Sequence, residues 1–504
     1  MDIINRTSRS PGGSPDFAHV LQTATRHSHY ARRLLDADSE LRAWLKLNFA
    51  SPCTRTEIAN WLGDLAAEDE AGLARALRRL RKQVLLKVLA RDLAGLADLD
   101  EVVTAMTALA ELCIQRAQAL LMRTLGEQFG QPVGASSGAP QPLLVIGMGK
   151  LGGGELNASS DIDLIFVYPE DGETDGPRRL SNHEFFTRLG RRLITALAEV
   201  TGDGYVFRVD MRLRPYGDSG PLVMSFAALE EYLVTQGREW ERYAWIKARV
   251  VSPAGHPAAA ELDALAQPFV FRKYLDFGAF DSMRQLHTQI RAEVTRRDRF
   301  QNIKLGPGGI REIEFIAQVF QLIRGGREAR LRVRPTREVL RHLARDGDLD
   351  AAAAARLDES YVFLRNLEHR LQYLDDQQTQ ELPESAENQA LIASAIGCAD
   401  FAALLAVLDP MRSFVSGQFE AVFGARKAEE GGTWWREDVT RDELREELAA
   451  LGYRDADSAA ERLLQFRSNG RYRALPEASR LRMDKLVPRF AVLCAGEGNP
   501  DAAL

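Results

Sequence analysis

The sequence predicts an α+β fold that is mostly helical, with one small mixed sheet flanked by an N-terminal helical unit and a C-terminal helical bundle. Three observations point there. Apolar residues recur at helical spacing from Phe17 to about Phe129, strand-like patterns are confined to a stretch that begins at Leu143, and helical periodicity returns after about Ser225.

At 504 residues the chain exceeds what one core serves, and ~150 residues per domain suggests roughly three units. A hydrophobic content of 45% with 27% charged residues is that of a folded chain rather than a disordered one. The formal net charge of -6, from 65 basic and 71 acidic residues, offers no general attraction to a phosphate backbone, so no nucleic-acid partner is expected. No apolar run approaches the ~20 residues of a membrane span, and the opening MDIINRTSRSPGGSPDF lacks the apolar middle of a signal peptide. A cytoplasmic protein with no membrane partner is expected. Cys53, Cys113, Cys398 and Cys494 form no C-x-x-C pair and read as reduced thiols, and no H-x-x-x-H spacing occurs. Carboxylates are therefore the expected ligands of any metal, and they suit Mg2+ or Mn2+.

Residues 1–15, rich in Ser, Pro and Gly, read as a disordered tail, and 16–130 as a helical domain. Within it, LARALRRLRKQVLLKVLARDLAGL puts Leu73, Leu77, Leu80, Val84 and Val88 on one stripe opposite Arg75, Arg79 and Lys82, the pattern of a core helix with a solvated basic face. Residues 131–141, QPVGASSGAPQ, have the composition of a linker. The α/β domain follows over 142–300, with LLVIG and DIDLIFVY as strands, SNHEFFTRLGRRLITALAEV as a helix and GYVFRVDMRL as another strand. Helices resume in a bundle over 301–430, with turns at GPGG (306–309) and ELPES. Residues 431–504 read as the start of a connecting helical region. That stretch reaches Leu504 without an evident closing element, as a truncated chain would. No internal repeat is found.

The chemistry concentrates in Gly147 to Tyr168, GMGKLGGGELNASSDIDLIFVY, where a glycine-rich turn leads into Asp-x-Asp. Side chains alternate along a strand, so Asp161 and Asp163 share one face about 6.6 Å apart in rise, while Ile162, Leu164 and Phe166 fill the other. Two half-buried carboxylates repel one another unless cations lie between them. The strand GYVFRVDMRL repeats the logic, with Arg208, Asp210 and Arg212 alternating with Phe207, Val209, Met211 and Leu213, and Asp210 becomes a third ligand. Three carboxylates on neighbouring strands can hold one or two metal ions for in-line phosphoryl transfer, with Arg208, Arg212 or Arg214 adding charge for phosphate oxygens.

Gly147, Gly149 and Gly152 also match the dinucleotide pattern G-x-G-x-x-G. Only eight residues separate Gly152 from Asp161, however, and a parallel crossover with its helix needs at least ~10–12. The better reading is that Gly152, Gly153 and Gly154 let backbone N–H groups approach phosphate, with Ser159 and Ser160 as extra donors and Lys150 either a point charge or an exposed turn residue. No Walker A sequence occurs here. In GPGGIREIEFIAQVF, Ile313, Ile316, Ala317 and Phe320 form a buried stripe, and Arg311, Glu312 and Glu314 either answer to the helix dipole or face the catalytic cleft.

GMGKLGGGELN-x-SSDIDLIF, FRVDMRLRP-x-G, SGPLVMSFAALEEY and GGIREIEFIAQVFQLIRGGRE resemble the bifunctional glutamine synthetase adenylyltransferase/adenylyl-removing enzymes of bacteria, over about residues 20–470. The resemblance implies a DNA polymerase beta-like nucleotidyltransferase core in the 142–300 domain. It also implies two similar catalytic halves, one attaching AMP to a tyrosine of glutamine synthetase and one removing it by phosphorolysis. Gly152 to Asn157, Arg208 ahead of Val209 and Asp210, and Ile310 to Glu312 are more similar to the N-terminal, adenylyl-removing half. On that resemblance Asp161, Asp163 and Asp210 match the metal-binding carboxylates and the turn from Gly152 to Ser160 matches the phosphate-binding loop.

The implied reaction uses inorganic phosphate, releases ADP and frees adenylylated glutamine synthetase of its AMP, under the control of a PII-type nitrogen signal protein. Two alternatives stand beside it: an adenylyltransferase that attaches AMP from ATP, and a catalytically idle module that binds glutamine synthetase and the signal protein.

Overall fold

The computed structural model describes residues 16–65, 69–272, 301–424, 434–435 and 438–495. The expected tail over 1–15, the last part of the expected α/β domain at 273–300, and residues 431–433, 436–437 and 496–504 of the expected connecting region lie outside the described residues. The chain forms two compact units, one running to Phe419 and the other starting at Glu420.

The first unit opens with six helices: α1 (Phe17–His27), α2 (His29–Ala37), α3 (Ser39–Asn48), α4 (Arg55–Asp64), α5 (Glu70–Leu93) and α6 (Leu99–Phe129). Each begins at a residue whose side-chain oxygen accepts an N–H of the first turn: Asp16, Ser28, Asp38, Thr54, Asp69 and Asp98. Such caps satisfy donors that a helix leaves unpaired at its start. In α5 the stripe Leu73, Leu77, Leu80, Val84 and Val88 is buried, and Arg75 and Arg79 are exposed with Lys82 half-buried. Past Leu80 the helix is enclosed on nearly all sides, and the sequence pattern did not anticipate its buried cations. Arg91 is held by Glu101 at 2.7 Å and Lys87 by Glu57 at 3.3 Å, as buried charges require.

The sheet region contains β1 (Pro132–Gly134), β2 (Leu144–Gly147), the single turn α7 (Gly149–Gly152), β3 (Ile162–Tyr168), β4 (Gly172–Thr174), α8 (Asn182–Ala198), β5 (Val209–Asp210), β6 (Val223–Ser225), α9 (Phe226–Thr235), α10 (Glu239–Trp245), β7 (Arg249–Ser252) and α11 (Ala258–Val270). The segment read as a linker carries ordered structure, because β1 pairs antiparallel with β4. The other five strands form one mixed sheet. β2 lies between β3 and β7, antiparallel to both, and β3 pairs in parallel with β5 at its start and β6 at its end. Leu164, Phe166 and Tyr168 of β3 join Phe185, Phe186, Leu189 and Leu193 of α8 and the interior of α5 and α6 in one core.

The unit is completed by α12 (Ile310–Arg324), α13 (Thr336–Arg345), α14 (Ala351–Tyr373), α15 (Ala386–Ala395) and α16 (Phe401–Gly424), which runs past Phe419. The second unit contains α17 (Arg441–Leu451), α18 (Ala456–Ser468), α19 (Gly470–Arg473) and α20 (Glu477–Ala495), packed around Leu444, Leu448, Ala459, Ala460 and Ala491. The fold is thus mostly helical with one small mixed sheet and the two-stranded β1–β4 pair. Among the described residues no helix is long and apolar enough to cross a membrane.

Candidate active site

The parallel pairing of β3 with β5 sets Ile162 opposite Val209 and Asp163 opposite Asp210. Asp161 stands just ahead of β3, and all three aspartates line one cleft of about 480 Å³. Gly149, at φ 52°, leaves room for Asp163, since a Cβ there would lie 3.1 Å from Asp163 Oδ2. Burial, and then the like charges of Asp161 and Asp210, push the Asp163 carboxyl up to about 7. Asp210 goes the other way. Arg212 Nε donates to its Oδ2 at 2.9 Å and holds it below the usual carboxylate range. Asp161 Oδ1 accepts from Gln378 Nε2 at 2.6 Å.

The strand expected across GYVFRVDMRL shrinks to Val209 and Asp210. The Asp210 carboxylate accepts the Arg212 N–H two residues on at 2.8 Å, a local turn that ends the pairing. Arg212 therefore reaches the cleft by folding back on Asp210 rather than by alternation. Arg208 is drawn away from the cleft, donating to the Ser159 carbonyl at 2.8 Å and the Tyr205 hydroxyl at 2.6 Å. Arg214 donates to Met211 O at 2.8 Å and does not line the cleft.

Of the expected phosphate loop, Ser160 and Lys150 line the cleft. Lys150 is no exposed turn residue: it sits 3.0 Å from the fully buried Glu368, and burial draws its ammonium down to about 7 while Glu368 opposes the shift. Ser159 is buried, with its N–H given to Gln372 Oε1 at 3.0 Å. The glycine amides are also committed. Gly152, Gly153 and Gly154 donate to the carbonyls of Met148, Gly149 and Leu151. Gly152 is needed for packing: a Cβ there would fall 1.9 Å from Lys247 O and 2.3 Å from Gly147 O. Gly152→Ala is expected to destabilise the protein by about 3 kcal/mol, the upper range for forced overpacking, with urea unfolding as the measurement.

The pattern reading missed several groups that the fold brings into the cleft: Lys304, Gln378, Trp240 and Lys247. Arg311 and Glu314, read as either dipole partners or cleft residues, line it too. Glu312 takes the other role and accepts the Gly308 N–H at 3.0 Å inside the turn. Of the stripe on α12, Ile313, Ile316 and Ala317 are buried and Phe320 is half-buried. Burial alone would raise Glu314, but Lys247, Lys150 and Lys304 outweigh it and hold the carboxyl below its usual range.

Among the described residues no three acidic, His or Cys side chains already converge as a metal cage. Gln378 and Arg212 hold two of the three carboxylates. The donor set still fits a hard divalent cation, since three oxygen donors face one cleft and the mutual repulsion that raises Asp163 is what such a cation relieves. A pH dependence follows. Protons compete for Asp163 below about pH 7, so cation affinity should fall toward pH 6, approaching tenfold per unit, as read by Mn2+ titration. Because the folded value of about 7 lies above the ordinary 3.8, the native state holds more protons across that window. The cation-free protein should lose stability as pH rises through it, and Asp163→Asn should flatten the slope of unfolding free energy against pH.

Residues 18–264 match the family model described as glutamate-ammonia ligase adenylyltransferase. Residues 284–423 match the one described as GlnD PII-uridylyltransferase. Three relatives bear the name bifunctional glutamine synthetase adenylyltransferase/adenylyl-removing enzyme. That of Nitrosomonas eutropha is 51% identical over 94% of this chain and 52% of its own length. That of Chromobacterium violaceum is 52% identical over 95% and 53%, and that of Ralstonia nicotianae 50% identical over 99% and 55%. The chain spans about half the length of the curated relatives it matches. Over the part that it spans, the chain belongs to the family of bifunctional glutamine synthetase adenylyltransferase/adenylyl-removing enzymes.

Proposed function

We propose that the chain removes AMP from the adenylylated tyrosine of glutamine synthetase by cation-dependent phosphorolysis, on a DNA polymerase beta-like core within residues 142–300. The observation that carries this reading is the register that sets Asp163 beside Asp210, with Asp161 at the same cleft. These three aspartates would hold Mg2+ or Mn2+, which when bound supplies positive charge against the charge developing on the phosphoryl and leaving oxygens. Lys304 and Arg311 line the cleft and attract inorganic phosphate. Arg212, exposed beside Asp210, is placed for the phosphate of the nucleotide. An oxygen of hydrogen phosphate attacks the AMP phosphorus, the bond from phosphorus to the tyrosyl oxygen breaks, that oxygen takes up the proton that the phosphate gives up, and ADP departs. Phosphate is already ionised near neutral pH, so no side chain has to act as its base.

The direction rests on the motif resemblance to the removing half. The transfer of AMP from ATP onto glutamine synthetase is the second reading, because the relatives' name covers both activities. A PII-type signal protein is the proposed regulator, supported by the match of residues 284–423 to a PII-uridylyltransferase description. The deciding experiment incubates the purified chain with adenylylated glutamine synthetase, phosphate and Mg2+, and follows ADP beside an Asp161→Asn control. ADP that appears only with phosphate and intact Asp161 supports phosphorolysis. Labelling of unmodified glutamine synthetase from ATP, without ADP release in the first assay, reverses the direction. Neither product leaves a binding module.

A further inference from the structure

Both chain segments that flank Asp161 are tied back to one buried guanidinium on the opening helices. Arg81 of α5, only 6% exposed, pairs with Asp376 through two 2.8 Å contacts. Asp376 lies in the turn after α14 at φ 55°, a left-handed conformation that a residue other than glycine keeps where its surroundings hold it. Two residues on, Gln378 makes the 2.6 Å hydrogen bond to Asp161. The second arm starts at the same guanidinium, which stacks over the Tyr205 ring at 4.5 Å. The Tyr205 hydroxyl accepts from Arg208 at 2.6 Å, and Arg208 donates at 2.8 Å to the carbonyl of Ser159, two residues before Asp161.

The turn that carries Gln378 is fastened at both ends. On the α2 side, Tyr30 N donates to Leu374 O at 3.0 Å, Ser28 Oγ to Tyr373 O at 2.5 Å, and Arg33 pairs with Asp375 at 2.8 Å. On the cleft side, Ile303 N donates to Gln380 O at 2.9 Å, next to Lys304. An exposed glutamine on a loose loop would hold a carboxylate only in passing. Here contacts on both sides of Gln378 hold the backbone from which its side chain reaches Asp161.

We infer that Gln378 is a positioning residue for Asp161, and that the Arg81–Asp376 pair sets Gln378 in place, so that the opening helices govern the carboxylate geometry of the site. Gln378 engages Oδ1 and leaves Oδ2 to the cation. Outer-shell hydrogen bonds of this kind orient a ligand and usually change cation affinity by roughly 10–100-fold when removed. The inference rests on the cation-binding reading of the three aspartates.

Mn2+ binding to the full chain, followed by the electron paramagnetic resonance of the free ion, tests it. Gln378→Ala should weaken Mn2+ binding about tenfold, the lower end of that range because the residue is exposed, with an unchanged thermal midpoint. Asp376→Asn keeps a side chain that tolerates the left-handed turn and should produce a comparable loss. The double variant should lose little more than either alone. An Mn2+ affinity unchanged in Gln378→Ala overturns the assignment, whatever Asp376→Asn does, and losses that simply add overturn the link to Arg81. If Asp161→Ala binds Mn2+ as the unaltered chain does, the cation reading itself falls and takes this inference with it. That failure is recognised without either of the other variants.

Discussion

Asp161→Asn is expected to lower the rate of ADP release at least a hundredfold, at saturating Mg2+ and in single turnover. The substitution keeps shape and an oxygen that can still accept from Gln378, so what it removes is the charge. Groups that stabilise developing charge in a phosphoryl-transfer site typically account for about 10²–10³ in rate each. A loss below about tenfold, roughly 1.4 kcal/mol of barrier, would remove Asp161 from the reaction. Asp163→Asn should be equally damaging to turnover with the opposite effect on stability. Its carboxyl is pushed up by burial and two neighbouring aspartates, and relieving that repulsion should make the cation-free protein more stable at pH 8 by on the order of 2 kcal/mol. Loss of activity together with gained stability is the mark of a site residue, since a merely structural carboxylate would lose both.

The largest stability effect is expected at Lys247. Its ammonium is 2.7 Å from Glu155 and 3.9 Å from Glu314, and its side chain is 6% exposed. Burial alone would lower this ammonium, but Glu155 and Glu314 raise it above its ordinary value. Glu155 in turn accepts the Thr336 N–H at the start of α13 at 2.8 Å and the Tyr361 hydroxyl at 3.3 Å, and Arg365 donates to its carbonyl at 2.6 Å. Lys247→Met leaves the buried Glu155 and the half-buried Glu314 without the ammonium that pairs with both, and breaking a buried pair from one side costs about 3–5 kcal/mol. Urea unfolding should register that loss, and Glu155→Gln added to Lys247→Met should restore part of it, because a neutral pair carries no stranded charge. A loss below about 1 kcal/mol would mean that water, not protein, neutralises these groups. Lys247 and Glu314 both line the cleft, so the single variant, which removes a positive charge there, should also strengthen cation binding.

Where a feature depends on neighbours along the chain, it was legible. The strands over 144–147 and 162–168 and the helix over 182–198 lie where short apolar runs and a 3.6-residue stripe place them. The Asp-x-Asp spacing brought Asp161 and Asp163 to one cleft for the same reason, and Asp210 joined them because β5 pairs in parallel at the start of β3. The glycine turn makes contacts that the pattern could not contain. Its amides close on carbonyls one short turn back, and Gly152 is small to admit the backbone of Lys247, 95 positions later, which no local spacing announces.

What the sequence by itself determined is the main helices, the two strands that lead to the site and its three aspartates: period-two and period-3.6 burial, helix caps and acidic pairs follow from local backbone geometry. What only the tertiary structure decided is which charge meets which. Lys150 finds Glu368 across 218 residues and Asp161 finds Gln378 across 217. A buried or half-buried ionic group must take whatever partner the packed chain brings within about 3 Å, and that partner is chosen by the closing of the core rather than by anything written beside it.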